Sequence, residues 1–207
     1  MTGTAARYLY LARHGEALPD GSGLSEAGRR QAALLGRRLA DRPVSVVHHG
    51  PLPRAAQTAE LVGAQLPGAV RRVSEAAGDY LPHFPDRDEL PSDSAELFLT
   101  FLAGCTPEDR EHGPALAERA IAEFTGPVAG DRERHELVVT HAFLIGWLVR
   151  HALDAPKWRW LGLDQANAAL TVIRWTPGRP AAVLLMNDMR HLPDDLRWTG
   201  FPPGSRV

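Results

Sequence analysis

Cysteine and lysine are almost missing from this chain of 207 residues. Cys105 is the only cysteine, so no disulfide can form within the chain, and we expect an intracellular compartment. A cysteine phosphatase pairs its thiolate with an arginine at a fixed spacing along the loop, where this chain has Glu111. Lys157 is the only lysine and lacks the glycine run of a nucleotide-binding P-loop. These scarcities exclude a disulfide scaffold, a cysteine phosphatase and a P-loop enzyme.

Long apolar runs and a strong excess of either charge are missing as well. No stretch approaches the roughly 20 apolar residues of a membrane-spanning helix, and the first residues lack the basic and apolar segments of a signal peptide. The formal net charge is -2, whereas domains that bind nucleic acid usually present a basic face. We therefore expect a cytoplasmic protein with neither a membrane nor a nucleic acid as partner. Composition does not predict its oligomeric state.

The nine histidines show no spacing that is typical of metal ligands. His135 and His141 lie on either side of a predicted strand, whereas the zinc-binding pair of a helical metalloprotease lies one turn apart on a helix. No cluster of histidine and cysteine completes a ligand set. We expect that the protein needs no metal and no other cofactor.

The hydrophobic pattern predicts a single α/β domain that occupies the whole chain, 1–207. Apolar runs that suit buried parallel strands alternate with helical periodicity, which indicates βαβ units. Ser25 is a suitable N-cap for the first helix. In chain order the predicted elements are strand 8–12, a helix after Ser25, strand 44–47, helix 54–65 and strand 70–73.

The second half of the chain begins with a change of character over about 82–134. This stretch is loop-like at first and then predicts two helices, at 95–103 and 107–124, and we interpret it as a cap-like insertion over the sheet edge. Strand 137–140 and an apolar helix at 142–153 resume the α/β pattern. Two last strands, 169–175 and 181–186, flank a turn that contains proline and glycine and form a predicted hairpin.

Three polar motifs follow predicted strands at the points where these strands end. They supply Arg13 and His14, then Arg54, then His141. Ligands of open α/β sheets bind beyond the carboxyl ends of the strands, so we expect these side chains to converge. Arginine presents a planar fork to phosphate oxygens, and a neutral histidine beside arginines can attack phosphorus. The motifs therefore predict a phosphoryl-transfer site with His14 as the nucleophile and His141 as a second donor, preferably protonated.

A departing alkoxide also needs a proton, and the segment after the third strand offers two carboxylates. Glu75 is the preferred general acid, and Asp79 is the alternative, because nothing in the spacing decides between them. Asn167 is interpreted as a turn residue, with support of the pocket as the alternative. His48 and His49 either flank the pocket or point away from it.

The motifs LARHGEA, GPLPRAAQTA and VVTHA occur in this order and together resemble the histidine phosphatase superfamily, whose fold is phosphoglycerate-mutase-like. The resemblance implies a three-layer α/β fold with a central, mostly parallel sheet, flanking helices and a helical insertion over the site. It also implies that His14 is phosphorylated during turnover, that Arg13, Arg54 and His141 form the phosphate pocket, and that Glu75 is the acid.

Within the superfamily, the stretch that follows His141 is most similar to a phosphatase branch, which implies a hydrolase rather than a mutase. We expect a metal-independent phosphomonoester hydrolase that acts on a phosphorylated small molecule or a phosphoprotein. Ala17 and His49 depart from residues that are common in the family, so a non-catalytic module that binds phosphorylated ligands stays an alternative. A phosphoglycerate-type mutase is a further one. Acids in the insertion would disfavour highly anionic substrates if they line the site: Asp86, Asp88, Glu89, Asp93 and Glu96.

Overall fold

The computed structural model describes residues 3–206, and these residues fold around one six-stranded mixed sheet. The strands follow the order β3-β2-β4-β1-β5-β6 across the sheet. The first four of these strands are parallel to one another, whereas β5 is antiparallel to both β1 and β6. Their bounds are β1 Arg7–Arg13, β2 Val44–His49, β3 Val70–Val73, β4 Arg134–Thr140, β5 Leu170–Trp175 and β6 Ala182–Asp188.

Within residues 3–206, five α-helices connect or flank these strands. Local signals explain where two of them begin, because the Ser25 hydroxyl accepts the N–H of Gly28 at 3.0 Å and Thr106 forms a capping box with Asp109. Single 3-10 turns occur in the loops, for example at Glu75–Ala77 and Lys157–Trp160. The helices are α1 Glu26–Leu39, α2 Pro53–Gly63, α3 Ala95–Leu102, α4 Pro107–Phe124 and α5 Ala142–Ala152.

The sheet forms the middle of three layers, because alternate side chains of its strands enter two separate cores. Leu9 and Leu11 of β1 belong to the core beneath α4 and α5, whereas Tyr10 and Ala12 belong to the core beneath α1 and α2. Central strands that are buried on both faces carry apolar residues in succession, as the sequence of β1 does. The prediction of a mixed α/β fold with a mostly parallel sheet is therefore confirmed.

Strand register aligns the carboxyl ends of the neighbouring strands β1 and β4. Arg13 lies opposite Thr140, and the N–H of His14 donates to the Thr140 carbonyl at 2.9 Å. On the other side of β4, His49 of β2 lies opposite Val139. The residues that immediately follow β1 and β4, His14 and His141, are therefore neighbours although they are far apart in sequence.

The predicted insertion at about 82–134 divides into two parts in the structure. Helix α4 packs into the main core through Ala117 and Phe124, and the Trp147 indole N–H donates to the Ala117 carbonyl at 3.3 Å. Helix α3 buries Ala95 and Leu102 in the same core but leaves Leu97 and Phe101 exposed. Helix α4 is therefore part of the core layer, whereas α3 joins that core at its two ends and presents apolar side chains on its other face. No helix of the described chain is both long and apolar enough to cross a membrane.

The turn after His14 depends on a close approach to α1, which generates a stability prediction. A Cβ atom on Gly28 would overlap the Glu16 carbonyl oxygen, so Gly28→Ala must displace that backbone. We expect a loss of about 1–3 kcal/mol in the free energy of unfolding, despite the better helix propensity of alanine. Urea denaturation measures this loss. Gly104→Ala is the control, because its Cβ meets nothing within 4 Å, and equal stability of the two variants would contradict the packing account.

Candidate active site

His14 is buried directly after β1, with 6% of its surface exposed, and its ring is held in one tautomer. Its Nδ1 lies 2.7 Å from the Gly15 carbonyl oxygen. Because a carbonyl oxygen can only accept a hydrogen bond, Nδ1 carries the hydrogen and Nε2 keeps its lone pair. The geometry therefore presents Nε2 as the nucleophilic atom of this ring.

Arg54 lies in the first turn of α2 and faces that lone pair. Its Nε–H donates to His14 Nε2 at 3.2 Å. Thr58, one turn further along α2, donates to the Arg54 carbonyl at 2.7 Å and accepts the Gly15 N–H at 3.0 Å. The Thr58 hydroxyl therefore ties the start of α2 to the loop that fixes the histidine.

Arg13 lies close enough for its charge to lower the pKa of both His14 and His141, and it is anchored by the last part of the chain. Its Nη1 donates to the carbonyls of Gln165 at 2.7 Å and Gly200 at 3.3 Å. Gly200 has φ 86°, and a Cβ atom there would collide with the Arg13 guanidinium and the Asn167 side chain. The Asn167 side chain in turn donates to the His14 carbonyl at 3.0 Å. Asn167 thus supports the His14 backbone directly, which agrees with the alternative interpretation of this residue rather than with the preferred one.

His141 occupies the N-cap position of α5 and has 2% of its surface exposed. Its ring centroid lies 5.0 Å from that of His14. Within residues 3–206 neither of its ring nitrogens has a hydrogen-bond partner, although Nδ1 is 3.4 Å from a carboxylate oxygen of Asp79. Buried polar atoms that lack partners are costly unless they serve a ligand. The ring of His141 is thus available to donate to a bound anion.

Burial and the charges of the nearby arginines keep both histidines neutral. Burial is the main cause that lowers the pKa of His14 to about 3, and the charges of His141, Arg13 and Arg54 lower it further. Burial, followed by Arg54 and Arg13, also lowers the pKa of His141 to about 3. A neutral His14 is the form that can attack phosphorus. The expectation of a protonated His141 does not describe the ligand-free site, where a neutral ring still has one N–H to donate.

The two carboxylates proposed as the acid lie on one short segment but have different surroundings. Asp79 pairs with Arg54 Nη2 at 2.7 Å through the same oxygen that approaches His141. Glu75 is exposed at the start of a 3-10 turn, and in the described structure no hydrogen bond or ion pair joins it to His14, Arg54 or His141. The Thr140 hydroxyl donates to the Ala77 carbonyl at 2.7 Å, which attaches the whole segment to the end of β4.

A second set of polar residues orders the loop after His14. The side chain of Gln31, fully buried in α1, accepts the Glu16 N–H at 2.8 Å and donates to the Leu196 carbonyl at 2.8 Å. The Ser25 hydroxyl donates to the Glu16 carboxylate at 2.7 Å. Sequence reasoning did not identify Gln31. A glutamine on the apolar face of a predicted helix is the only signal that could have found it.

His48 does not reach the pocket. It is buried within ion-pair distance of Glu123 and Glu136, at 3.8 and 3.7 Å, and its ring packs edge-on against Phe124. His49 bonds to the Gly50 carbonyl through Nδ1 at 2.8 Å. Across residues 3–206, no group of three or more histidine, cysteine, aspartate or glutamate side chains is arranged to hold a metal ion.

The site therefore combines a neutral histidine with cationic donors at the carboxyl ends of parallel strands, an arrangement suited to phosphoryl groups. Residues 9–188 match the family model of the histidine phosphatase superfamily (branch 1). This chain belongs to that superfamily, and the family resemblance seen in the sequence is confirmed.

Relatives with known names agree with this assignment. The chain is 29% identical over 204 residues to the mitochondrial serine/threonine-protein phosphatase Pgam5 of Caenorhabditis briggsae, covering 95% of this chain and 68% of that protein. The corresponding phosphatase of Caenorhabditis elegans is 30% identical, with 92% of this chain and 66% of that protein covered. The chain spans about two thirds of the length of these relatives. The prediction of a phosphatase of the histidine phosphatase type is confirmed at this level.

Solved structures confirm the fold class. The phosphoglycerate mutase of Plasmodium falciparum superimposes with a TM-score of 0.62 at 19% identity, covering 92% of this chain and 96% of the other. A mycobacterial glucosyl-3-phosphoglycerate phosphatase superimposes with a TM-score of 0.59 at 25% identity, covering 89% of this chain and all of the other. The predicted phosphoglycerate-mutase-like architecture is therefore correct.

The expected cytoplasmic location is wrong, because it disagrees with the location given for the named relatives. The curated relatives are mitochondrial phosphatases, from nematodes to mammals. Cysteine content separates oxidising from reducing surroundings, and it carries no information that distinguishes one reducing compartment from another.

The lowered pKa values predict how stability depends on pH. The unfolded histidines take up protons as the pH falls below about 6.5, whereas buried His14 and His141 stay neutral down to about pH 3. Stability is therefore fully present above 6.5 and decreases as the pH falls through this window, by up to about 1.4 kcal/mol per pH unit for each histidine. In His141→Gln the slope should be smaller by about one proton.

Urea denaturation in phosphate-free buffer between pH 7 and pH 4.5 measures that slope. His112→Gln is the matched control, because His112 lies exposed on α4. This variant should show the same slope as the wild type. A slope in His141→Gln equal to that of the control would contradict the assignment of a buried neutral His141.

Proposed function

We propose that the protein is a metal-independent phosphomonoester hydrolase that acts through a phosphohistidine on His14. The observation that carries this proposal is the orientation of the His14 ring. Nδ1 is committed to the Gly15 carbonyl at 2.7 Å, and Nε2 faces the Arg54 guanidinium at 3.2 Å. A lone pair held beside a cation lies where it can meet the phosphorus of an anion bound to that cation.

The proposed phosphate pocket consists of Arg13, Arg54 and His141. The two guanidiniums supply charge and planar N–H forks, and His141 supplies a donor from a buried ring that has no hydrogen-bond partner within residues 3–206. In that part of the chain no side chain caps the start of α2 or α5, so backbone N–H groups there add to the positive potential. These fixed donors would stabilise the equatorial oxygens as charge develops on them.

In the first step, His14 Nε2 attacks phosphorus and forms an N–P bond while the ester P–O bond breaks. The departing oxygen takes a proton from a carboxylic acid of the 75–79 segment, so the alcohol leaves neutral. The hydrogen on Nδ1 stays with the Gly15 carbonyl, and the positive charge that develops on the ring is balanced by the phosphoryl group.

In the second step, the carboxylate left by the first step accepts a proton from a water molecule. The oxygen of this water attacks phosphorus on the face opposite His14, and the N–P bond breaks. Inorganic phosphate leaves, Nε2 regains its lone pair, and the carboxylic acid is regenerated. The residues therefore return to their starting state without a metal or a cofactor in any step.

We assign different roles to the two carboxylates. Asp79 already contacts Arg54 and His141 through one oxygen, so it competes with phosphate for these donors and orients them between turnovers. Glu75 has no such partner in the described structure and keeps the role of general acid and base. Both lie on the segment that Thr140 attaches to the end of β4.

The names of the curated relatives support a substrate that contains a phosphomonoester. These relatives are serine/threonine-protein phosphatases, whereas a solved structure of similar fold is a glucosyl-3-phosphoglycerate phosphatase. A phosphoprotein and a phosphorylated small molecule therefore both fit the same chemistry.

The nucleophile can be tested by intact-protein mass spectrometry after rapid mixing with phenyl phosphate at neutral pH. Wild type should show a transient phosphoryl adduct and should release phosphate in EDTA. His14→Ala should show neither, with turnover lowered by roughly 10³-fold or more. His112→Ala, on the exposed face of α4, should behave as wild type. An adduct or undiminished turnover in His14→Ala would contradict the proposal, and phosphate binding without turnover by wild type would favour a binding module.

The two carboxylates can be separated by their dependence on the leaving group. Glu75→Gln should lower kcat/KM, which reports the phosphorylation step, by roughly 10²-fold for phenyl phosphate and much less for 2,4-dinitrophenyl phosphate, whose leaving group needs no proton. Asp79→Asn should instead lower the inhibition constant of inorganic phosphate several-fold, because a competing anion is removed from Arg54. The reverse pattern, with leaving-group dependence in Asp79→Asn alone, would assign the acid to Asp79.

A further inference from the structure

An apolar cleft of about 540 Å³ lies between α3 and the start of α5, the helix that follows His141. Helix α3 forms one wall, and the start of α5 together with residues 160–164 forms the other. This volume falls within the range of small-molecule sites, about 300–1,000 Å³. The side chains that shape the cleft are Leu97, Phe98, Phe101, Phe143, Trp160 and Asp164.

Two stretches of chain connect the cleft with the proposed phosphate pocket. Ala142 and Phe143 line it and directly follow His141 at the start of α5. At its other end, Asp164 precedes Gln165, whose carbonyl accepts from Arg13 at 2.7 Å. These chain connections would allow a phosphoryl group held by Arg13 and His141 to direct its ester oxygen toward the cleft.

Aromatic contacts fix the shape of the cleft. Phe143 packs edge-on against Trp160 with ring centroids 5.3 Å apart, and against Phe101 of α3 with centroids 6.0 Å apart. Phe98 of α3 meets Trp158 with centroids 6.2 Å apart. Edge-to-face pairs of this kind stabilise a defined geometry, so α3 is held over the cleft by rings that bridge its two walls.

Charge in the cleft is unfavourable for an anionic leaving group. Asp164 is the only charged side chain among the residues that line it, and no lining residue of the described chain is basic. Acids of the insertion were predicted to disfavour highly anionic substrates if they line the site. None of these five acids lines the cleft. A carboxylate or second phosphate on the substrate would lose water in the cleft without gaining a cation.

The lining is also poorly suited to a peptide. Among the lining residues of the described chain, Asp164 is the only charged side chain, and the indole N–H of Trp160 already donates to the His83 carbonyl. An extended peptide brings an N–H and a C=O with every residue. Those groups would stay unpaired in an apolar cleft. A compact apolar or aromatic alcohol has no such groups beyond the ester oxygen, and it fills the space with favourable contacts.

We propose that this cleft is the leaving-group subsite of the enzyme and that it selects phosphomonoesters of neutral apolar or aromatic alcohols over anionic ones. This inference rests on the proposed function, since it assigns the alcohol side of the same reaction. Leu97 at the cleft mouth, 69% exposed, is a specificity-determining residue of the subsite.

A matched pair of substrates tests the selectivity. 4-Ethylphenyl phosphate and 4-(carboxymethyl)phenyl phosphate have similar shapes and leaving phenols of similar acidity, but only the second carries a carboxylate. Wild type should favour the neutral substrate at least about tenfold in kcat/KM. It should also favour that substrate over a phosphoserine peptide. Equal use of the pair, preference for the carboxylate or preference for the peptide would overturn the inference while leaving the hydrolase intact.

A charge introduced at the cleft mouth tests the location. Leu97→Lys should reduce the preference for the neutral substrate by roughly fivefold. We expect kcat/KM to rise for the carboxylate substrate and to fall for the ethyl substrate. Leu184→Lys is the control, because Leu184 is an exposed apolar residue of β6 and does not line the cleft. An equal change in both variants, or no change in Leu97→Lys, would overturn the assignment of the cleft.

Failure of the inference can be distinguished from failure of the proposed function. If wild type forms no phosphoryl adduct and hydrolyses neither substrate, the hydrolase proposal fails and the subsite falls with it. If wild type forms the adduct and hydrolyses both substrates equally, only the subsite proposal is wrong. Circular dichroism of both lysine variants checks that they fold, and the exposure of Leu97 and Leu184 favours this outcome.

Discussion

The hydrogen bond from His14 Nδ1 to the Gly15 carbonyl is the contact on which the proposed chemistry depends. It assigns the tautomer, and the tautomer decides which nitrogen can attack phosphorus. Much of the surrounding structure holds this one carbonyl in place. Thr58 binds the Gly15 N–H, Gln31 binds the next N–H, and Gly28 permits the loop to lie against α1. A loop held from three sides gives the ring little freedom to turn.

Burial and charge act together on this site. Removal of His14 and His141 from water disfavours their charged forms, and the nearby arginines disfavour these forms further. The result is a pocket whose positive charge comes from guanidiniums, while its imidazoles stay neutral and available. Asp79 partly balances that charge through Arg54. Asp79 therefore stabilises the pocket when no phosphate is bound. A bound phosphate would take over this balancing role.

Local patterns predicted most of the fold. The predicted bounds of β3 and α4 agree with the structure at both ends, because short apolar runs and capping residues are local signals. The convergence of His14, Arg54 and His141 followed from the rule on strand ends. Gln165 and Gly200 could not be predicted, since they reach Arg13 from more than a hundred residues away along an irregular path. The apolar cleft was also missed, because it depends on how α3 faces α5.

The most direct test of the central claim is to locate phosphorus on the histidine ring. Protein labelled with ¹⁵N in histidine, mixed with phenyl phosphate and quenched in alkali, can be analysed by ³¹P NMR for coupling to ring nitrogen. The account predicts phosphorus on Nε2 of His14, because Nδ1 is engaged with the Gly15 carbonyl. Phosphorus on Nδ1, or on a residue other than His14, would contradict the account at its foundation.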